Sequence, residues 1–278
     1  MAQNKLFALL LAGLLLTGCS GPEPTATAAP TASPSPTPAP TPTPVTELVY
    51  PAGELLPMEE VCAALGFDFQ LTDTGALIED KALELLPELE TLCFDGRYIY
   101  APGGFEIGEH GLLMEPEAAA KLLGLGLETG GELIYLDASA PGLLQGGEDY
   151  YDIHFDMDRL YWLPRIIRAE AFQQPMAGQI AVGNVVLNRV DSPKFPMYIT
   201  GVIYDMDYAV QFDPVADGSI KIEPDEMAEI AARLCLEGYN TAGDSLFFVN
   251  PERGDGSWFA KELELVAVIG EHWFYRYK

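Results

Sequence analysis

A tract of proline, threonine, alanine and serine near the N-terminus restricts most strongly what this chain can fold into. The tract reads GPEPTATAAPTASPSPTPAPTPTP and lies within residues 20–46. It has no large apolar side chains to bury, and its prolines donate no backbone hydrogen bonds, so we expect an extended, semi-rigid linker. At about 3.1 Å per residue, this linker spans roughly 80 Å. The rest of the 278 residues is long enough for two modest domains.

Residues 1–19 have the pattern of a signal peptide that ends in a cysteine. Lys5 precedes an apolar run, Leu6 to Leu16, that is too short to span a membrane, and Leu-Thr-Gly-Cys then ends at Cys19. These four residues resemble the bacterial lipobox, which implies that Cys19 carries a lipid anchor. An ordinary secretory signal followed by a chance cysteine is the alternative. The resemblance predicts an extracytoplasmic, membrane-anchored lipoprotein whose linker reaches into the cell wall.

The chain is strongly acidic, with a formal net charge of -27 from 42 Asp and Glu against 15 Lys and Arg. A phosphate backbone would repel it, and the sequence contains no cluster of Lys and Arg. We therefore expect no binding of nucleic acid.

The cysteines do not suggest a disulfide framework. With Cys19 assigned to the anchor, Cys62, Cys93 and Cys235 remain, and this odd count favours free thiols in the interior. A Cys62–Cys93 bridge is the alternative.

Residues 47–138 contain one sequence unit that is present twice. LLPMEEVCAALGFDFQL and LMEPEAAAKLLGLGLET are offset by 58 residues. Each predicts a short amphipathic helix that ends at Leu-Gly, followed by a strand of alternating apolar residues. The duplicated pattern resembles the copper amine oxidase N-terminal-like domain, a small α+β module of Gram-positive surface proteins. His110 is the sole histidine in this span, so we expect a spacer or wall-adhering stalk domain and no copper site.

Residues 139–158 carry Gly, Pro and a cluster of Asp, and we expect a linker over residues 139–151 that leads to a second domain, residues 152–278. This domain is expected to contain three main helices, a strand over SLFFVN and a C-terminal β-hairpin that turns at Gly270-Glu271. The second domain is therefore predicted to be α+β.

Glu170 lies in the stretch RIIRAEAFQQP, on the apolar face of the first of these helices. At about 3.6 residues per turn, that face comprises Leu163, Ile166, Ile167, Glu170 and Gln174. Arg165 and Arg168 point the opposite way and are badly placed to neutralise Glu170. Burial on this face raises the pKa of the Glu170 carboxyl, as a general acid near neutral pH requires. A carboxylate paired with another residue, or one that reaches solvent, is equally consistent with the spacing.

Other catalytic patterns are weaker. The three histidines, His110, His154 and His272, are far apart and form no metal-binding motif, so we expect no metal and no cofactor. The chain has no GxSxG motif for an esterase, and none of its cysteines lies in a sequence typical of a nucleophile. After metal sites, serine nucleophiles and cysteine nucleophiles are set aside, catalysis by a carboxyl group remains.

Several ordered motifs resemble those of the spore cortex-lytic enzyme family, the SleB/CwlJ-type cell wall hydrolases. The motifs are AEAFQQP, GQIAVGNVVLNRV, SPKFP, GVIY, QFDPVADG, FFVNP and IGEHWFYR. The resemblance covers about residues 155–278 and implies a lysozyme-like helical catalytic domain that cleaves peptidoglycan glycan strands. In that family the Glu of the AEA motif is the catalytic acid, which corresponds here to Glu170.

The resemblance also implies a lytic transglycosylase mechanism with one carboxylate. Glu170 would protonate the oxygen between N-acetylmuramic acid (MurNAc) and N-acetylglucosamine (GlcNAc). It would then accept the proton of the muramic 6-hydroxyl, which closes a 1,6-anhydro ring. An N-acetylmuramoyl-L-alanine amidase and a catalytically inactive peptidoglycan-binding module are the alternatives. The sequence is consistent with peptidoglycan of either the spore cortex or the vegetative wall as the substrate.

Five further residues are candidates for binding the glycan. Gln211 and Phe212 match the Gln-Phe pair of the family, although Phe212 is equally expected to pack in the core. Gln174 replaces an acid that the family usually has. Asn250 follows a strand, where capping a turn is the favoured role, and Trp258 lies in a Gly-rich loop, where an exposed indole can stack on a sugar. Asn188 and Arg189 close the second helix, where a C-terminal capping role is at least as much expected as substrate contact. For His272 a structural role is favoured over a catalytic one.

Overall fold

Short alternating strands and two small helices make up the first folded part of the chain. The computed structural model describes residues 45–146, 157–205, 212–253 and 257–278. Cys19, the proline-rich tract up to residue 44, the end of the predicted linker and Gln211 lie outside these ranges. No helix in the described ranges is long and apolar enough to cross a membrane.

The N-terminal part, residues 45–146, contains three antiparallel sheets. A five-stranded meander consists of β3 (Phe69–Leu71), β4 (Gly75–Ile78), β5 (Lys81–Leu86), β6 (Thr91–Phe94) and β7 (Arg97–Tyr100). The remaining strands are β1 (Glu47–Pro51), β2 (Leu56–Pro57), β8 (Phe105–Gly108), β9 (Gly111–Met114), β10 (Gly126–Gly130) and β11 (Leu133–Asp137). They form two three-stranded sheets, with the orders β2-β9-β8 and β1-β11-β10. The β6–β7 hairpin turns at Asp95 and Gly96, both at positive φ, as two-residue turns that match the strand twist require.

Two helices bury their apolar faces against these sheets. Helix α1 (Met58–Leu65) and helix α2 (Pro116–Leu123) begin 58 residues apart, which is the offset of the sequence repeat. Each ends at a glycine in the left-handed region, where a side chain would be strained. A core of fully buried apolar side chains connects both helices with the sheets. The backbone of residues 142–144 packs back on the end of α2, since Gly142 and Leu144 donate to Leu123 and Leu122.

The C-terminal part consists of helices and one three-stranded sheet. The helices are α3 (Met157–Ala171), α4 (Met176–Asp191), α5 (Ile199–Ile203), α6 (Asp213–Asp217), α7 (Glu226–Leu236) and α8 (Ser257–Glu262). Strands β12 (Phe247–Val249), β13 (Leu263–Ile269) and β14 (His272–Tyr277) form an antiparallel sheet in the order β12-β14-β13. The predicted hairpin is confirmed, because Ile269 pairs with His272 across the two-residue turn Gly270-Glu271.

Helices α3, α4 and α7 pack closely because small side chains lie where they meet. A Cβ atom at Gly183 of α4 would lie 2.6 Å from Cys235 Sγ of α7 and 2.9 Å from Ile167 Cδ1 of α3. Asp225 caps α7 by accepting a hydrogen bond from the Ala228 amide at 2.9 Å. Cys62, Cys93 and Cys235 are free thiols, which confirms the expectation from their odd count.

The two parts are in contact through the start of β7 and the end of α7. Arg97 Nε donates to Glu237 Oε1 at 2.8 Å, and Arg97 Nη2 pairs with Glu237 Oε2. The Glu237 side chain is only 3% exposed. Next to this ion pair, the Lys121 ammonium lies 4.0 Å from the ring centre of Tyr239, which meets Tyr100 edge to face. Charged and aromatic contacts therefore connect the two parts.

The side chain of Arg165 on α3 is buried, because its guanidinium stacks on Tyr161 and pairs with Glu223. Arg165 is thus used in packing, and its charge is balanced away from Glu170.

Candidate active site

Glu170 lies in the last turn of α3, at the edge of the hydrophobic core. Leu163, Ile166 and Ile167 on the same face are fully buried and hold the helix against its neighbours. Glu170 follows these apolar residues on the same helix face, at the point where the helix leaves the core. Its side chain is therefore half-buried and faces a cleft. The predicted face is therefore confirmed from Leu163 to Glu170, but Gln174 does not belong to it, because α3 ends at Ala171 and Gln174 lies in the turn that follows.

The cleft has two arms that meet at Glu170, with cavity volumes of about 360 and 200 Å³. Both arms are lined by Ala169, Glu170, Asn250, Arg253 and His272. The first, which we name the acidic arm, is also lined by Arg189, Asp213, Pro214, Asp217, Ser219, Phe248 and Val249. The second, which we name the hairpin arm, is also lined by Phe172, Gln173, Gln174 and Glu271. The proposed acid is thus accessible from both sides.

The surroundings of Glu170 favour its protonated form. Burial raises the pKa of Glu170 to about 7, and the negative charges of Asp213 and Asp217 act in the same direction. The positive charge of Arg189 opposes them only in part. Near neutral pH, Glu170 therefore exists both as an acid and as a carboxylate, which are the two forms that an acid/base catalyst alternates between.

Arg189 is a buried cation at the inner wall of the acidic arm. Its Nε donates to the Leu246 carbonyl at 2.7 Å, and its guanidinium lies 5.0 Å from the ring centre of Phe212. Burial lowers the pKa of Arg189 to about 10, which leaves it charged at neutral pH. The sequence left both helix capping and substrate contact open for this residue, and the structure places its charge beside Glu170.

Gln174 connects the end of α3 to the β13–β14 turn. Its Oε1 accepts a hydrogen bond from the Glu271 amide at 2.9 Å, and a Cβ atom at Gly270 would collide with that oxygen. Asn250 holds the same turn, because its Nδ2 donates to Glu271 Oε2 at 3.0 Å while its Oδ1 accepts from the Glu252 amide. Both amides thus position the hairpin, and for Asn250 this agrees with the turn-capping role.

His272 is the first residue of β14 and is buried at the meeting point of the two arms. Its ring lies 5.3 Å from Phe248 and 6.2 Å from Phe274, both edge to face. Burial lowers the pKa of His272, so the imidazole is neutral at pH 7. Its buried Nδ1 has no hydrogen-bond partner within the described ranges.

The other predicted site residues are spread over the domain. Phe212 is 2% exposed and packs against Phe248 in the core, which favours the packing role. Trp258 is exposed on α8, where its indole meets Phe259, and it lines neither arm. Asn188 donates to the carbonyls of Gly243 and Ser245. Across the described ranges, no group of three or more His, Cys, Asp and Glu side chains could hold a metal ion.

The charge of Asp213 has a testable effect on the pH dependence of activity. Asp213→Asn removes a neighbour that raises the pKa of Glu170. Since the protonated acid starts the reaction, we expect the alkaline limb of the pH–rate profile to shift to lower pH, by about half a unit. Asp244→Asn, far from the cleft at a surface ion pair, is the control and should leave the profile in place. An unchanged limb in Asp213→Asn would contradict this role.

Gln174→Glu should move the same limb in the opposite direction. A carboxylate at residue 174 can still accept the hydrogen bond from the Glu271 amide, so the turn is retained. Its negative charge, however, lies in the same arm of the cleft as Glu170. We expect the alkaline limb to shift to higher pH and stability to fall by about 1–2 kcal/mol, because residue 174 is buried. Paired pH–rate profiles and denaturation curves check both effects. An unchanged limb would show that the new charge does not act on Glu170, and a shift to lower pH would contradict the predicted direction.

Comparisons with known proteins find similarity in the C-terminal part of the chain. Residues 173–275, which begin just after Glu170, match the sequence profile of the Cell Wall Hydrolase family. The spore cortex-lytic enzyme of Halalkalibacterium halodurans is 35% identical over 112 residues, or 40% of this chain and 33% of that protein. The corresponding enzyme of Bacillus subtilis is 32% identical over 120 residues, or 43% of this chain and 38% of that protein. This chain thus spans only a third to two fifths of the length of these relatives.

Solved structures are also similar to part of this chain. The catalytic domain of the germination-specific lytic transglycosylase SleB from Bacillus anthracis is 30% identical, and the match covers 44% of this chain and 98% of that domain with a TM-score of 0.40. By sequence, residues 173–275 are similar to the Cell Wall Hydrolase family.

Proposed function

We propose that residues 152–278 are a peptidoglycan-cleaving domain that acts as a lytic transglycosylase, with Glu170 as its catalytic acid and base. One observation carries the proposal: a carboxyl with a pKa of about 7 lies at the junction of a two-armed cleft. The similarity to the Cell Wall Hydrolase family and to spore cortex-lytic enzymes supports peptidoglycan as the substrate.

The reaction needs one carboxyl group that changes its protonation state. Protonated Glu170 gives its proton to the oxygen between MurNAc and GlcNAc, while the bond from C1 to that oxygen breaks and its electron pair stays on the oxygen. The muramic 6-hydroxyl then forms a bond to C1, and its proton passes to the Glu170 carboxylate. The product is a 1,6-anhydro ring, and the enzyme is returned to its protonated form. Because the nucleophile belongs to the substrate, proximity supplies much of the rate enhancement.

The shape of the cleft suits cleavage within a chain of sugars. Glu170 is accessible from both arms, so the scissile oxygen can lie at the junction while the sugars on either side extend into the two arms. Arg189, fixed by the Leu246 carbonyl and by aromatic rings, provides a positive charge near the carboxylate that forms after proton donation.

The remaining parts of the chain are assigned by their sequence patterns. We propose a lipid anchor at Cys19, a linker over residues 20–46 and a stalk domain over residues 47–138, followed by a second linker over residues 139–151. In this arrangement the catalytic domain, with a lysozyme-like core, acts on the wall outside the membrane.

Digestion of purified peptidoglycan tests the proposed activity. Spore cortex and vegetative sacculi should be incubated separately with the protein, and the soluble products identified by mass spectrometry. Fragments that end in 1,6-anhydro-MurNAc support the proposal. Free stem peptides would indicate an amidase, and sedimentation with the wall without soluble products would indicate a binding module.

A further inference from the structure

The polar side chains of the hairpin arm are largely engaged with one another. Gln174 Oε1 accepts from the Glu271 amide, and Asn250 contacts Glu271 and Glu252 through both atoms of its amide group. These groups hold the turn in place and form a rigid wall. Recognition of a ligand in this arm therefore falls to side chains that have no such structural role.

Phe172 is one of these side chains. It follows Glu170 by two residues, in the turn between α3 and α4, and it is 55% exposed although the preceding Ala171 is buried. The Arg168 guanidinium lies 5.1 Å from its ring centre, and the ring also lines the hairpin arm. A large aromatic ring left open to solvent at the wall of a cleft has apolar area to bury against a ligand.

His272 provides a polar group in the same arm. Its imidazole is more than nine-tenths buried and lines the cleft. Its Nδ1 is enclosed and has no partner in the described part of the chain, so contact with a ligand is made by another part of the ring. Packing against Phe248 and Phe274 fixes the direction of the ring. An aromatic face together with a fixed polar group suits a pyranose, which presents apolar C–H groups on its faces and polar groups at its edge.

We propose that the hairpin arm is a saccharide subsite in which the ring of Phe172 stacks on a sugar next to the scissile bond and His272 contacts a polar group of that sugar. This inference rests on the proposed glycan-cleaving function and adds a residue that determines affinity. Trp258 has a similarly exposed ring but lines neither arm, so the structure favours Phe172 as the stacking residue.

Kinetics on glycan strands of defined length, freed of stem peptides, test the subsite. We expect Phe172→Ala to raise KM about fivefold to tenfold with kcat nearly unchanged, because stacking is present before and during the reaction. Phe172→Trp should keep KM within about twofold of the wild type, because it retains an aromatic face. Tyr198→Ala is the matched control, since Tyr198 is 63% exposed and lines neither arm.

Two outcomes would overturn the subsite. An unchanged KM in Phe172→Ala, or an equal rise in KM for Tyr198→Ala, would show that the ring does not bind the glycan. Calorimetry measures binding of the same strands to Glu170→Gln and to the double variant Glu170→Gln/Phe172→Ala. This measurement does not depend on turnover. If the wild type makes no anhydro products, the proposed function fails, and the calorimetry still decides whether Phe172 contributes to glycan binding.

Discussion

Glu170→Gln is expected to lower the rate of glycan cleavage by about 10²- to 10⁴-fold. Glutamine has almost the same shape as protonated glutamic acid, so it keeps the packing at the end of α3, but it can neither donate a proton to the glycosidic oxygen nor accept one from the 6-hydroxyl. The measurement is the release of 1,6-anhydro products from purified peptidoglycan, under conditions in which product release by the wild type increases linearly with time.

A stability control separates loss of chemistry from loss of folding. The folded pKa of Glu170 is raised from 4.5 to about 7, so the folded state holds this proton more tightly than the unfolded state. The stabilisation that Glu170 provides is complete below pH 4.5 and is lost as the pH rises through about 7. Glu170→Gln lacks this loss and should be at least as stable as the wild type at pH 8. A folded variant that keeps more than about a tenth of the activity would rule out Glu170 as the acid.

Arg97→Met is expected to destabilise the protein by about 2–4 kcal/mol. The change leaves the Glu237 carboxylate, which is 3% exposed, without its bidentate partner. Lys121 lies close enough for Glu237 to raise its pKa, and it compensates for part of the lost attraction. Denaturant unfolding followed by circular dichroism gives the change, and the activity of the folded fraction should remain near the wild-type value.

The double variant Arg97→Met/Glu237→Leu is the matched control. Replacing both members of a buried pair by apolar side chains of similar volume removes the unpaired charge, so the double variant should recover at least half of the stability lost by Arg97→Met. A double variant as unstable as the single one would show that packing of the Arg97 side chain, and not its charge, holds the two parts together.

Local patterns in the sequence predicted the elements that depend on neighbours along the chain. The Leu-Gly endings of α1 and α2, the apolar face of α3 and the turn at Gly270-Glu271 all follow from residues within one or two turns of each other. The helix period places Glu170 after three buried residues but leaves its role open, and the resemblance of the later motifs to the SleB/CwlJ-type family makes it the candidate acid.

The chemical surroundings of Glu170 could not be predicted in this way. Asp213 and Asp217 come from α6 and Arg189 from the far end of α4, and only the packing of these helices brings them to one cleft. Arg165 shows the same limit, since its burial depends on Glu223, 58 residues later. The sequence around Phe172 gives no indication of a binding role, because exposed apolar residues in turns are common. Only the position of the β13–β14 hairpin places Phe172 at the wall of a cleft.

The Arg97–Glu237 ion pair also has a consequence for the order in which the chain folds. Its two residues are 140 positions apart, so the pair forms only when the chain as far as residue 237 is available to fold. The sheets and helices of residues 45–146 can collapse on their own core before that, with Arg97 still hydrated at their surface. Docking of α7 then removes water from both charges, while Tyr100 joins the apolar core that α7 shares with α3 and α4.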